Sequence, residues 1–312
     1  MAETLTLVDP KQIDKNPENP RLIFHEDELL ALQESIQHQG ILVPLTVYKD
    51  GVRFVLLDGE RRWRCALKLG LKKVPTIIQP KPDKIQNIMM MFAVHNARRD
   101  WDPLPTAYKL KELEDLLTTR QGKRPTEREI AEAASISPGE VRRLKKLLGL
   151  PQKYRDELME ELKKPRSKQL ITVDHVLEVT RAAFALRKRA VVTEAEEDDL
   201  RSALLGKFRA GVVQNTVAPR KLARVARAVE RGEIAVDDAR EVVKKLMREP
   251  SFSIDAAFEQ SVAQVDFQHG LSQLVSRLQD QLEEHKRRGY RLSPPLRESL
   301  EALAQLIRKL LG

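Results

Sequence analysis

Apolar residues along this chain change period near residue 100, and that change divides the sequence. In DELLALQESIQHQ (27–39), Leu29, Leu30, Leu32 and Ile36 recur at helical spacing, and Gly40 supplies a stop. The runs ILVPLTVY (41–48) and RFVLL (53–57) read as strands joined through Lys49-Asp50-Gly51. A helix over Glu60–Leu69, closed by Gly70, leads to a third strand, PTIIQ (75–79), then a PKPDK loop and a buried, Met-rich helix over 85–95. From residue 101 the spacing is helical throughout. Pro103 and Pro105 open a first helix, and the stretches 126–134 and 138–148 flank a Ser-Ile-Ser turn. Beyond a charged helical tract lie two amphipathic stretches. Leu271, Leu274, Leu278 and Leu282 share one stripe, and Leu296, Leu300, Leu303, Ile307 and Leu310 another, with Pro294-Pro295 between them.

Composition narrows the class. With 41% hydrophobic and 32% charged residues the chain builds cores, and at 4% aromatics those cores are aliphatic and mostly helical. At 312 residues, two or three units are expected. The lone Cys65 excludes an intramolecular disulfide framework and fits a reducing compartment. The opening MAETLTLVDP has no signal-peptide pattern and no apolar run reaches 18 residues, so a soluble, cytoplasmic protein is expected. The net charge of +9 is concentrated: residues 140–189 alone carry +7. Such a stripe on a balanced protein is the electrostatic footprint of a nucleic-acid contact, although a solvated basic face gives the same count.

Two places carry chemistry. Thr126-Glu127-Arg128-Glu129 reads as a capping box, and Ile130, Ala131 and Ala134 supply an apolar face. After the turn, Ser137 caps a helix that starts with Pro138 and places Val141, Leu144 and Leu148 inward. Its basic outer side fits major-groove docking. Thr126 belongs to the contact set, Ser137, Glu140, Arg142 and Arg143 are the base-reading candidates, and Lys145 and Lys146 the phosphate contacts. The second place is the strand-to-helix turn Asp58-Gly59 followed by Glu60, Arg61 and Arg62. Helix-start N–H groups and forked guanidiniums there suit a phosphate, and Asn96, Arg98 and Arg99 form a second cluster able to reach the same anion.

The ordered motifs DKNPENPR (14–21), SIQHQGILVPLTV (35–47), DGERRWRCA (58–66) and HNARRDWDP (95–103), followed by the helix-turn-helix, resemble the ParB chromosome- and plasmid-partition family over residues 13–150. The resemblance implies an α+β ParB/sulfiredoxin-like N-terminal domain (1–100). An all-α helix-turn-helix DNA-binding domain (101–189) follows. Beyond the resemblance, residues 190–254 read as a charged helical region without assigned role, and the apolar stripes of 255–312 as a helical hairpin that is a candidate for dimerisation or for docking on helices of its own chain. The resemblance further implies a CTP-responsive clamp on palindromic duplex DNA, a homodimer, a ParA-type ATPase partner, nucleoid association, and CTP with Mg²⁺ as cofactors. Carried over by position, Gly40, Ile41 and Pro44 fall at the nucleoside end, and Gly59, Glu60, Arg61 and Arg62 at the phosphates. Asn96 falls at the metal and phosphates, and Arg99 at the motif's last arginine.

Departures qualify the activity. His95 stands where the family usually has a glutamate tied to metal and hydrolysis, and a neutral imidazole is a poor Mg²⁺ ligand. Weak or absent CTP hydrolysis is the expectation. Asp174 replaces the glycine of a Gly-His pair, and His175 is read as a packing residue. Two alternatives remain at this point. One is a ParB-fold transcriptional regulator without hydrolysis. The other is a sulfiredoxin-like enzyme, opposed by Glu60 at the nucleophile's position and by Cys65 lying mid-helix.

Overall fold

The computed structural model describes residues 5–96 and 102–311. Five strands form one mixed sheet: β1 (Leu5–Val8), β2 (Ile13–Asp14), β3 (Leu45–Asp50), β4 (Arg53–Asp58) and β5 (Val74–Gln79), in the order β1-β5-β3-β4-β2. β3 and β4 are the antiparallel hairpin the sequence predicts, turning at Gly51 with φ 61°. β3 starts at Leu45, not Ile41, because Pro44 lacks the N–H a ladder needs. β1 and β2 escape the sequence reading. β2 has two residues, held by parallel pairing to β4, by burial of Ile13 in the core and by the Asp14–Arg53 ion pair.

Alternation along the central strands gives the sheet two buried faces. Leu45, Val47 and Leu56 pack with Ala66 of α2 (Glu60–Lys68), while Tyr48, Val55 and Leu57 meet Met91 of α3 (Lys84–Asn96). Outside α2 lies α1 (Glu26–Gln39), which buries Leu29 and Ile36 against Cys65.

The remainder is helical. α4 (Pro103–Gln121), α5 (Glu127–Ala133), α6 (Pro138–Leu148), α7 (Gln152–Lys163) and α8 (Val173–Lys188) are followed by α9 (Glu194–Arg209), α10 (Arg220–Glu230), α11 (Val236–Arg248) and α12 (Ile254–Ser261). One hydrophobic core runs without interruption from Ile88 and Phe92 of α3 to Val262, so residues 190–262 share the core of the helices before them. Lys207, buried in α9, donates to the carbonyl oxygens of Glu249 and Pro250 at 2.6 and 3.0 Å, closing the end of α11. Among the ion pairs that tie the sheet domain to the helices are Lys84 to Glu112 at 2.7 Å, Lys109 to Glu18 at 2.9 Å and Arg166 to Glu28 at 2.8 Å. The last two helices, α13 (Ala263–Arg287) and α14 (Pro294–Leu311), bury no residue. Among the described residues no helix is long and apolar enough to cross a membrane.

Candidate functional site

The strand-to-helix turn at the end of β4 opens a cavity of about 300 Å³. Gly59 makes the turn, with φ 98° and ψ 22°, and leaves the first turn of α2 without a side-chain cap. That places helix-start N–H groups at the cavity, where an anion is favoured. A side chain at residue 59 would be strained, since a Cβ would lie 2.5 Å from Leu45 Cδ2 and 3.2 Å from an Arg62 nitrogen.

All four residues of the turn motif, Gly59 to Arg62, line this cavity. Their side chains are already organised by protein groups. Arg62 donates to Asp58 Oδ2 at 2.9 Å and to the carbonyl oxygens of Pro44, at 2.7 Å, and Val43. Arg61 donates to the Glu28 carbonyl at 3.1 Å. Glu60 is buried and accepts from Asn19 Nδ2 at 2.7 Å and from Arg64 Nη2 at 2.6 Å. The guanidiniums are therefore pre-oriented, at the cost that a bound anion must compete with these acceptors.

Sequence reasoning missed most of the lining beyond Gly59 to Arg62. Asn16, Asn19 and Arg21, all buried, come from DKNPENPR, which the sequence offers only as a motif of the family resemblance, with no role given to its residues. The signal available was its asparagine content, because buried asparagines need fixed partners. Asn16 finds Asn87 Oδ1 at 2.8 Å, and Arg21 donates to Glu28 at 2.8 Å while lying 5.0 Å from the centroid of the Phe24 ring. Gly40, Ile41 and Pro44 stand behind the lining, where their neighbour Val43 enters it. Gly40 ends α1 with φ 72°, Ile41 is half-buried between the two cores, and Pro44 holds Arg62 by its carbonyl.

Arg98 and Arg99 lie outside the described residues, as do the side chains of His95 and Asn96 at the end of α3. Among the described residues no cluster of three His, Cys, Asp or Glu side chains gathers for a metal. Mg²⁺ commonly needs only one or two carboxylates with the rest of its shell from phosphates and water, and Asp58 and Glu60 line the cavity. Cys65 is fully buried on the face of α2 that packs against α1, and burial pushes its thiol up, against the pull of Arg61 and Lys68. That is the environment of an inert structural cysteine.

The helix-turn-helix forms as the sequence predicts at its cap and turn. Thr126 N donates to Glu129 Oε2 at 2.7 Å and Glu129 N donates back to Thr126 Oγ1 at 3.2 Å. Ser137 Oγ accepts from Glu140 N at 3.1 Å. Ile130, Ala131, Ala134, Val141 and Leu144 are buried, but Leu147 fills the last inward position and Leu148 is only half-buried. Arg142 and Lys146 are exposed. Arg142 pairs with Glu127 at 3.2 Å, and Arg143 with Glu140 at 3.0 Å and Asp174 at 2.9 Å. Lys145 departs from the outward placement. It is 26% exposed and reaches Glu114 of α4 at 3.1 Å, where Arg124 also binds at 2.8 Å. His175 packs as expected: Nδ1 accepts from Thr172 N at 3.0 Å, Nε2 meets Thr216 Oγ1 at 3.1 Å, and the ring lies 4.3 Å from Phe208.

Comparison with known proteins adds the following. Residues 1–94 match the family model described as the ParB N-terminal domain. Over 105 residues the chain is 36% identical to the chromosome-partitioning protein ParB of Myxococcus xanthus, covering 34% of this chain and 35% of that protein. Over 198 residues it is 31% identical to the probable chromosome-partitioning protein ParB of Xylella fastidiosa, covering 62% and 61%. The chain thus spans between about a third and two thirds of the lengths of these relatives. A crystal structure of the C-terminally truncated chromosome-partitioning protein ParB from Caulobacter crescentus complexed with CTP-gamma-S is 28% identical, covers 51% of this chain and 84% of that chain, and overlays with a TM-score of 0.29.

Proposed function

We propose that this ParB-like chain, whose residues 1–94 are a ParB N-terminal domain, is a nucleotide-responsive DNA-binding protein of chromosome or plasmid partition. The observation that carries the reading is the cavity at Gly59. A volume of about 300 Å³ lies within the range of small-ligand sites, and it combines an uncapped helix start with three guanidiniums, from Arg21, Arg61 and Arg62. The ordered motifs point to CTP as the nucleotide, and Asp58 and Glu60 of the cavity, with Asn96 by its position in the family motif, would hold Mg²⁺. Bound Mg²⁺ would supply charge neutralisation of the phosphates. Turnover is expected to be slow or absent because His95 replaces the usual glutamate.

Duplex DNA is the second ligand. Support comes from the exposed Arg142 and Lys146 on α6, the partly exposed Arg143, and the charge concentrated over residues 140–189. The unburied stripes of α13 and α14 fit a homodimer, which matches the symmetry of a palindromic site. A ParA-type ATPase partner and residence on the nucleoid follow from the same family reading. One observation favours a second reading, a ParB-fold regulator that makes no use of nucleotide. Glu60, Arg62 and Arg64 already satisfy one another or nearby protein groups.

Isothermal titration of the purified chain with CTP, ATP and GTP, each with Mg²⁺, separates the two. Binding of CTP alone, abolished in Arg62→Ala, is expected. Equal binding of all three nucleotides, or none, overturns the cytidine assignment and leaves the regulator. Light scattering on the full chain and on residues 1–272 tests the dimer, with a dimer that becomes monomeric as the expected result.

A further inference from the structure

Arg143 is held by a residue that the helix-turn-helix does not itself contain. Its Nη1 donates to Glu140 of the same helix at 3.0 Å, and its Nη2 to Asp174 at the start of α8 at 2.9 Å. Two acceptors on two nitrogens of one planar fork fix the plane of the guanidinium, which a single partner does not. Asp174 is itself placed rigidly. It lies between Thr172 and His175, which close a capping box, and the His175 ring is pinned by Thr216 and Phe208. A cavity of about 170 Å³ lined by Arg143, Asp174 and Arg166 adjoins the pair. Packing therefore leaves the guanidinium room to swing about its Glu140 contact, and the Asp174 carboxylate is the second point that fixes its plane.

As a contribution to stability the pair is small, since the Asp174 side chain is 60% exposed. Its consequence lies in orientation and charge. Asp174 sets an arginine at the start of a helix whose outer side is basic, and it puts a negative charge where indiscriminate phosphate contact would otherwise be favoured. Resting on the reading of α5 and α6 as a duplex-DNA reader, we propose that Asp174 is a specificity-determining positioning residue. It aims Arg143 at a base edge and lowers affinity for unselected DNA.

The test uses the full-length chain and a duplex library with a randomised core. The best-selected duplex is then compared with a scrambled one by the ratio of their dissociation constants. Asp174→Ala is expected to lower that ratio about tenfold, the size of one well-made base contact, while tightening binding to the scrambled duplex. Asp174→Asn keeps the acceptor without the charge, so it should retain most of the ratio while still tightening the scrambled complex. In an Arg143→Ala background, Asp174→Ala should not change the ratio further, which a merely structural role does not predict. Should Asp174→Ala fail to fold by circular dichroism, Asp174→Ser, whose shorter side chain cannot reach Arg143, carries the same comparison in both backgrounds. A ratio unchanged in Asp174→Ala, or lowered equally with and without Arg143, overturns the assignment. A wild-type chain that selects no sequence ends the DNA-reading premise, and the assignment with it.

Discussion

Gly59 joins stability to the site in a single residue. Its left-handed backbone costs an L side chain about 1–2 kcal/mol, and the added methyl would have to displace Leu45, which is fully buried. Overpacking of that kind costs roughly 1–3 kcal/mol more. Gly59→Ala should therefore lose about 2–5 kcal/mol in denaturant unfolding, and a loss below about 1 kcal/mol would mean that the turn relaxes freely. His175 gives a pH effect of definite sign. Burial disfavours its charged form, only partly offset by Asp174, and holds its pKa below the ordinary 6.5. Above pH 6.5 neither state binds the proton and the stability is intact. Below it the unfolded chain takes up the proton first, so stability falls as pH falls until the folded ring titrates too. Melting temperatures across that window should drop more for the wild type than for His175→Gln, and equal drops would remove His175 as the cause.

Helix ends account for much of what was readable in advance. Thr126, Ser137 and the following Glu residues are close in sequence, and their bonds form within one turn. Thr126→Ala should cost about 1 kcal/mol, measured by thermal or denaturant unfolding. The two lysines of α6 now separate. Lys146 is exposed, so Lys146→Ala should lower the slope of DNA affinity against salt by about one. Lys145 serves Glu114, which is 4% exposed and keeps Arg124 as a second partner, so Lys145→Ala should cost about 1 kcal/mol of stability. Salt titrations and unfolding curves showing the reverse assignment would refute both. The inward position of Leu147 in place of Leu148 was not legible, because one residue on a helix turns the face by only about 100° and both are leucine. Nor were β2 and the lining asparagines legible: a two-residue strand and a polar loop take their form from partners far along the chain, Val55 for Asp14 and Asn87 for Asn16.

The whole molecule divides unevenly. A single core extends from α3 to Val262, whereas α13 and α14 leave Phe267, Leu274, Leu306 and Leu310 exposed. Removing residues 273–312 should therefore leave the melting temperature of the body nearly unchanged while abolishing self-association. A large fall in melting temperature for the truncated chain, at concentrations where the full chain is monomeric, would show that the last helices stabilise their own body. The order of the sheet has a further practical outcome. β1 is four residues long, pairs antiparallel with β5, and presents Leu5 and Leu7 outward. A chain trimmed by its first nine residues would bare the full flank of β5, whose Val74, Thr76 and Ile77 are strong strand formers. The loss would then appear as sheet-to-sheet aggregation during expression more than as lower thermodynamic stability, so an affinity tag that leaves those residues in place is the safer design.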